Sequence, residues 1–162
     1  MIRLVPCCLG LAGLAVAAGC APTAPRPWLI NETPSLPRGL YRRTADPVAR
    51  GAIVAVKPPP QGRRYLAQLG ARPDARLLKR VVATSGESVC RRGRWLTWPR
   101  GVAIALLVDR HGRALPRWQG CHALQAGEVL VLGDTALSFD SRYLGPMRAR
   151  DIDGVYREVW RW

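Results

Sequence analysis

Leu77-Leu78-Lys79-Arg80-Val81-Val82 reads as a short, nearly all-apolar strand that carries a lysine at its centre. Lysine is scarce in this chain. Of 25 lysines and arginines only Lys57 and Lys79 are lysines, so generic positive charge is written as arginine. Arginine stays protonated in a protein, whereas a buried lysine loses its proton readily. A lysine in an apolar strand is therefore a candidate catalytic base, set against the plainer reading of a surface lysine with a buried stem.

Working outward, Ile53-Val54-Ala55-Val56 forms the body of a strand over Val48 to Lys57, ended by Pro58-Pro59-Pro60. Arg63 to Leu69 has the spacing of a short helix closed by Gly70. Ser88 to Trp98 reads as a hairpin turning at Arg92-Gly93, and Val102 to Val108 as a further strand. Gly127 to Leu132 is a buried strand ending in Gly133-Asp134, and Thr135 to Pro146 a polar loop. In a last strand, Val155 to Trp162, alternation puts Tyr156, Glu158, Trp160 and Trp162 on one face. With 14 prolines and 16 glycines, short strands and loops should dominate over helices. The fold expected is mostly β: antiparallel strands, long loops and few short helices behind an N-terminal apolar helix.

That N-terminus begins with Arg3, continues as an apolar run from Leu4 to Ala21, and reaches small residues at Ala17-Ala18-Gly19-Cys20. It reads as an export leader or membrane anchor over residues 1–22, with Cys20 at a site loosely like that of a bacterial lipoprotein. Residues 23–30 read as a proline-rich connector, and 31–162 as one domain. Export places the domain in an oxidising compartment, where the remaining even pair, Cys90 and Cys121, is expected to be bridged. The bridge would staple an insertion around 90–121. A zinc site built from these cysteines with His122 and His111 has no standard ligand spacing.

The net charge of +14 points to something acidic as a neighbour, phosphate or anionic lipid. The charge is spread along the chain rather than gathered in one basic run, and an export leader does not suit a nucleic-acid partner. Trp95, Trp98, Trp160 and Trp162 are core or hairpin aromatics, or an interfacial belt at a membrane.

Two further stretches carry chemistry. In Asn31-Glu32-Thr33-Pro34-Ser35-Leu36-Pro37-Arg38-Gly39-Leu40-Tyr41, prolines bracket a serine and hold it on a stiff, extended segment. The other is Gly133-Asp134-Thr135-Ala136-Leu137-Ser138-Phe139-Asp140-Ser141-Arg142-Tyr143-Leu144-Gly145. Together with Lys79-Arg80-Val81-Val82 and Gly86-Glu87, and in this order, these pieces resemble the type I signal peptidase family. The likeness is greatest to its conjugative-transfer branch, the TraF-type pilin-processing peptidases, through Pro34-Ser35-Leu36-Pro37-Arg38-Gly39-Leu40-Tyr41. Three positions depart from the family pattern. Thr135 follows Gly-Asp where asparagine is usual, and Thr33 and Leu36 replace a serine and a methionine around the nucleophile.

The resemblance implies a membrane-associated serine endopeptidase that matures an exported, pilin-like precursor, by hydrolysis or by acyl transfer. General removal of leader peptides is the alternative with the same chemistry. It implies Ser35 as nucleophile and Lys79 as general base, with the oxyanion met by the Ser35 N–H and the Thr33 hydroxyl. It implies that Ser138 hydrogen-bonds the lysine amine and that Asp140 and Arg142 pair to hold the loop. Lys79 works only when neutral, so apolar neighbours must depress its pKa, aided by the nearby charge of Arg80. No metal or other cofactor is expected. The partners implied are the precursor and inner-membrane lipid, at the periplasmic face of a bacterial inner membrane.

Overall fold

A computed structural model describes residues 26–162. The leader, with Cys7, Cys8 and Cys20, lies outside the described residues. Among the described residues no helix is long and apolar enough to cross a membrane.

The lysine strand, β4 (Leu77–Ala83), lies inside a seven-stranded sheet. β3 (Ile53–Val56) pairs antiparallel with it on one side and β9 (Glu128–Leu132) on the other. Both partners are near-continuous apolar runs, as strands covered on two faces require. The sheet runs β1-β2-β11-β3-β4-β9-β10, with β1 Trp28–Asn31, β2 Gly39–Thr44, β10 Met147–Arg148 and β11 Ile152–Arg161. Val54, Val56, Val81, Val131, Tyr143 and Leu144 belong to one core cluster, while Leu36, Tyr41, Ala55, Leu78 and Tyr156 form another. Alternation along β3 and β4 sends successive side chains to these two clusters.

Residues 88–123 build a separate four-stranded sheet, ordered β7-β6-β5-β8. Its strands are β5 (Ser88–Arg92), β6 (Trp95–Trp98), β7 (Gly101–Ile104) and β8 (Gly120–Ala123). Cys90 and Cys121 face each other in register across β5 and β8, with their sulfurs at a bonding distance of 2.02 Å. Val89 and Leu96 pack with Leu130 and Leu132 of the main sheet in a third cluster.

Several boundaries differ from the sequence reading. The main sheet starts at Trp28, inside the stretch read as connector, because β1 pairs with β2. Helix α1 spans Pro60–Gln68, starting three residues before Arg63. Pro59 is its N-cap and Pro60 its first residue; a first helical turn needs no N–H, so the prolines that end β3 also begin α1. The strand expected to reach Val108 ends at Ile104, and Val108 makes only an isolated bridge to Ala114. The loop 135–146 contains one helical turn, α2 (Ser141–Leu144), capped by the Asp140 carboxylate. The alternation expected for β11 breaks at a bulge between Glu158 and Trp160, which turns Trp160 to the opposite face from Glu158.

Candidate active site

β1 ends at Asn31, β2 begins at Gly39, and the chain between them is a tight turn that carries Ser35. Asn31 organises this turn. Its amide nitrogen donates to the carbonyls of Thr33 (2.9 Å), Leu36 (3.0 Å) and Pro37 (3.0 Å). Its Oδ1 accepts from the Thr33 hydroxyl at 2.9 Å and from the Thr33 N–H at 3.4 Å. Leu36 is buried in the core cluster of Tyr41 and Tyr156, and the Tyr41 hydroxyl donates to the Pro37 carbonyl at 2.8 Å. The Ser35 carbonyl accepts from the Asp134 N–H at 2.6 Å. The Ser35 N–H donates to no group among the described residues, so it is free for an incoming oxygen.

The serine and the strand lysine meet. Lys79 Nζ donates to Ser35 Oγ at 2.7 Å, and both residues are buried, 3% and 6% exposed. They lie 44 positions apart in sequence. Val54 faces Lys79 in register, and Leu77 and Val81 flank it on its own side of β4. This apolar surround withdraws water from the ammonium and lowers the Lys79 pKa from 10.5 to about 8. The Asp140 carboxylate opposes that fall most, the Arg142 guanidinium assists it, and Asp134 opposes it weakly. Arg80, expected to assist, does not: it forks onto Asp134 at 2.9 and 3.0 Å on the other face of the strand. Lys57, by contrast, is exposed at the end of β3.

The loop after β9 closes the site. Gly133 sits where a Cβ would lie 2.2 Å from Ser138 Oγ and 2.7 Å from the Ser35 carbonyl oxygen. Asp140 is fully buried and accepts from the N–H groups of Gly133 (2.8 Å) and Arg142 (3.0 Å). Its side chain lies 3.3 Å from the Arg142 guanidinium. Burial still pushes the Asp140 carboxyl above its ordinary pKa. Arg142 in turn donates to the carbonyls of Thr135 (2.9 Å), Ser138 (3.2 Å) and Gly133 (3.1 Å). Position 135 contributes its backbone carbonyl, which asparagine and threonine supply equally.

One expected contact is absent. Ser138 Oγ is buried and lines the same cleft as Lys79, but among the described residues it makes no hydrogen bond, to the amine or to any other group. It is close enough to Asp140 to favour that carboxylate's charged form, short of bonding geometry. The amine is held instead by Ser35. The Thr33 hydroxyl lies 3.0 Å from Ser35 Oγ.

Two residues of the site escaped the sequence reading. Asn31 could have been noticed as a short amide side chain at the end of a strand, a position where it braces turns. Arg91 carries no such signal. It is fully buried in β5, donates to the Arg142 carbonyl and lies 5.9 Å over the Tyr143 ring. It thereby ties the disulfide-bonded sheet to the loop behind the lysine. Neither His111 nor His122 lines the cleft. The His122 ring meets Glu128 at 2.6 Å, and His111 sits in the turn built on Asp109.

The cleft beside Ser35 and Lys79 is open, ≈ 450 Å³, and walled by Ile30, Pro34, Leu66, Leu77, Leu137 and Phe139. A buried amine on a serine, at the floor of an apolar groove, can activate an alcohol toward a carbonyl carbon.

Comparison with known proteins gives the family. The model of the signal peptidase family, peptidase S26, matches residues 1–162. The chain belongs to that family. Relatives include two plasmid transfer proteins TraF from Escherichia coli. They are 34% and 33% identical, over 94% of this chain and 89% and 92% of their own. A conjugal transfer protein TraF from Agrobacterium fabrum is 31% identical over 94% of this chain and 93% of its own. A signal peptidase I from Enterococcus faecalis aligns over 69% of this chain and 98% of its own, at 21% identity and a TM-score of 0.40.

Proposed function

We propose that this member of the signal peptidase family is a membrane-associated serine endopeptidase with a Ser35/Lys79 dyad, maturing an exported, pilin-like precursor for conjugative transfer. The observation that carries the reading is the 2.7 Å contact between Ser35 Oγ and a lysine amine shielded from water. The neutral Lys79 amine takes the Ser35 proton as Oγ attacks the scissile carbonyl carbon. The developing oxyanion is met by the Ser35 N–H and, after rotation, by the Thr33 hydroxyl. Losing one such donor typically costs about 3 to 4 kcal/mol of barrier. Lys79, now an ammonium, returns the proton to the leaving amine, and the precursor fragment remains as a Ser35 ester. Water releases it as an acid; an incoming amine forms a new peptide bond.

Asp140 and Arg142 hold the loop against Ser35 and Lys79, and Ser138 lines the cleft. A role in conjugative transfer is supported by the TraF relatives, which are named for plasmid and conjugal transfer; the pilin-like substrate rests on the resemblance carried by Pro34 to Tyr41. Lipid contact is supported by an apolar edge of the main sheet: Ile30, Leu40 and Trp160 are register partners across β1, β2 and β11. Ile30, Trp160 and neighbouring Trp28 and Trp162 are exposed, as an interfacial patch requires. The leader would then bring this edge to the periplasmic face of the inner membrane.

The test is co-expression with an exported pilin precursor, followed by its size. Ser35→Ala and Lys79→Arg should both leave it uncut while the domain keeps its native circular dichroism. Processing by either variant removes the dyad, and cleavage of ordinary exported precursors with pilin left intact points to general leader removal.

A further inference from the structure

Asn31 makes five hydrogen bonds in the turn that carries Ser35 and is only 6% exposed. The orientation of its amide is fixed by chemistry. Nδ2 faces three carbonyl oxygens, which only accept, and Oδ1 faces an N–H and a hydroxyl, which donate. Turning the amide over would set its oxygen against three others. Oδ1 is therefore a fixed acceptor, and the single hydrogen of the Thr33 hydroxyl points to it. The Thr33 oxygen is left facing Ser35 Oγ, 3.0 Å away, as an acceptor.

The protons of the site now have one consistent order. The charged Lys79 ammonium donates to Ser35 Oγ, Ser35 donates to Thr33, and Thr33 donates to Asn31. When the amine is neutral the Ser35 hydrogen must turn away from Thr33 to reach Nζ, and one hydrogen bond of the chain is given up.

We propose that Asn31 is a positioning residue that sets the direction of this chain, holding Ser35 at rest until an oxyanion draws the Thr33 hydrogen away. The inference rests on the Ser35/Lys79 reading above. An oxyanion is a better acceptor than an amide oxygen, so Thr33 rotates toward it. Thr33 remains an acceptor for Ser35 only while its hydrogen stays on Asn31, so the Ser35 proton passes to the amine as the oxyanion forms. Recognition of the tetrahedral oxygen and deprotonation of the nucleophile are thus one event. The charged groups facing the amine are Asp140, Arg142 and Asp134, the last neutralised by Arg80. Among the described residues none of them is hydrogen-bonded to the side chain of Asn31 or Thr33, so a variant at either leaves that field in place.

The test uses the full-length chain in detergent and p-nitrophenyl acetate as an acylating probe. Acetylation of Ser35 is read by peptide mass from pH 6 to 10. In the step Ser35 Oγ bonds the acetyl carbon, the C–O bond to p-nitrophenolate breaks, and the Ser35 proton goes to Lys79 and then to solvent. Asn31→Leu removes the fixed acceptor at similar volume, and Thr33→Val removes the hydroxyl. Each should move the midpoint of the acid limb down by about 0.5 to 1 pH unit, the worth of one hydrogen bond. The double variant should move it no further.

A folded Asn31→Leu protein with a lower plateau and an unmoved midpoint reduces Asn31 to a brace and overturns the proposal. If Asn31→Leu does not fold, an unmoved midpoint in Thr33→Val overturns it alone. Wild-type protein that is never acetylated at Ser35 overturns the dyad reading itself, an outcome separate from either shift.

Discussion

Replacing Lys79 by methionine should make the protein more stable while abolishing its activity. Burial lowers the amine's pKa from 10.5 to about 8. At 1.36 kcal/mol per pH unit, a charged amine then burdens the folded state by about 3 kcal/mol. Methionine has a similar length and no charge, and it forfeits one hydrogen bond, to Ser35 Oγ, worth about 1 kcal/mol. The net gain at pH 7 is about 2 kcal/mol, or about 4 to 8 °C in Tm for a chain of this size.

The pH dependence distinguishes this from general repacking. The unfolded chain keeps the lysine proton up to 10.5 and the folded chain releases it near 8. Between these values the unfolded state binds more protons, so wild-type stability rises with pH. The advantage of Lys79→Met is full below pH 8, fades from 8 to 10.5, and above that leaves the variant about 1 kcal/mol less stable than wild type, the worth of the lost hydrogen bond. Urea unfolding followed by tryptophan fluorescence at pH 6, 7 and 10 measures it. A methionine variant less stable than wild type at pH 7, with the same difference at pH 10, refutes a desolvated amine at this position.

Activity should follow the same proton: precursor cleavage falls about tenfold per pH unit below the Lys79 pKa of about 8, read as an acid limb in kcat/KM. Gly133→Ala forces its methyl onto the Ser35 carbonyl oxygen and Ser138. Such a collision should cost about 2 kcal/mol or more of stability and cut cleavage at least tenfold, checked by denaturant midpoint and by assay. Asp140→Ala leaves the buried Arg142 guanidinium without its anion. A loss of about 3 to 5 kcal/mol is expected on denaturation, larger than for Asp46→Ala, whose partner Arg157 is exposed. Reducing Cys90–Cys121, which closes a loop of 31 residues, should lower unfolding stability by about 3 to 4 kcal/mol in the chain-entropy model.

Much of the fold was legible because the deciding strands carry their own signals. Ile53–Val56 and Glu128–Leu132 are apolar runs set off by proline or glycine, and Leu77–Ala83 is a largely apolar run ended by the turn Thr84-Ser85-Gly86-Glu87; such runs are strands buried on both faces. Gly39–Thr44 escaped notice because Arg42, Arg43 and Thr44 show no apolar alternation. It is a strand because β1 and β11 pair with it from both sides, a tertiary cause. The bulge at Glu158–Trp160 was likewise invisible, since period-2 reasoning assumes an unbroken ladder.

The candidate site divides in the same way. Residue type singled out one lysine in an apolar strand and a serine stiffened by prolines, and the family resemblance added an Asp140–Arg142 pair two positions apart in a loop. None of that needed coordinates, because pKa habits and backbone restrictions belong to the residues themselves. Only the tertiary structure decided who touches whom. It set the amine on Ser35 rather than Ser138, gave Arg80 to Asp134, made Asn31 the brace of the turn, and buried Arg91 against the Arg142 carbonyl. Those outcomes depend on distances across strands far apart in sequence. A hydrogen bond is won or lost within a few tenths of an ångström, a precision that packing alone supplies.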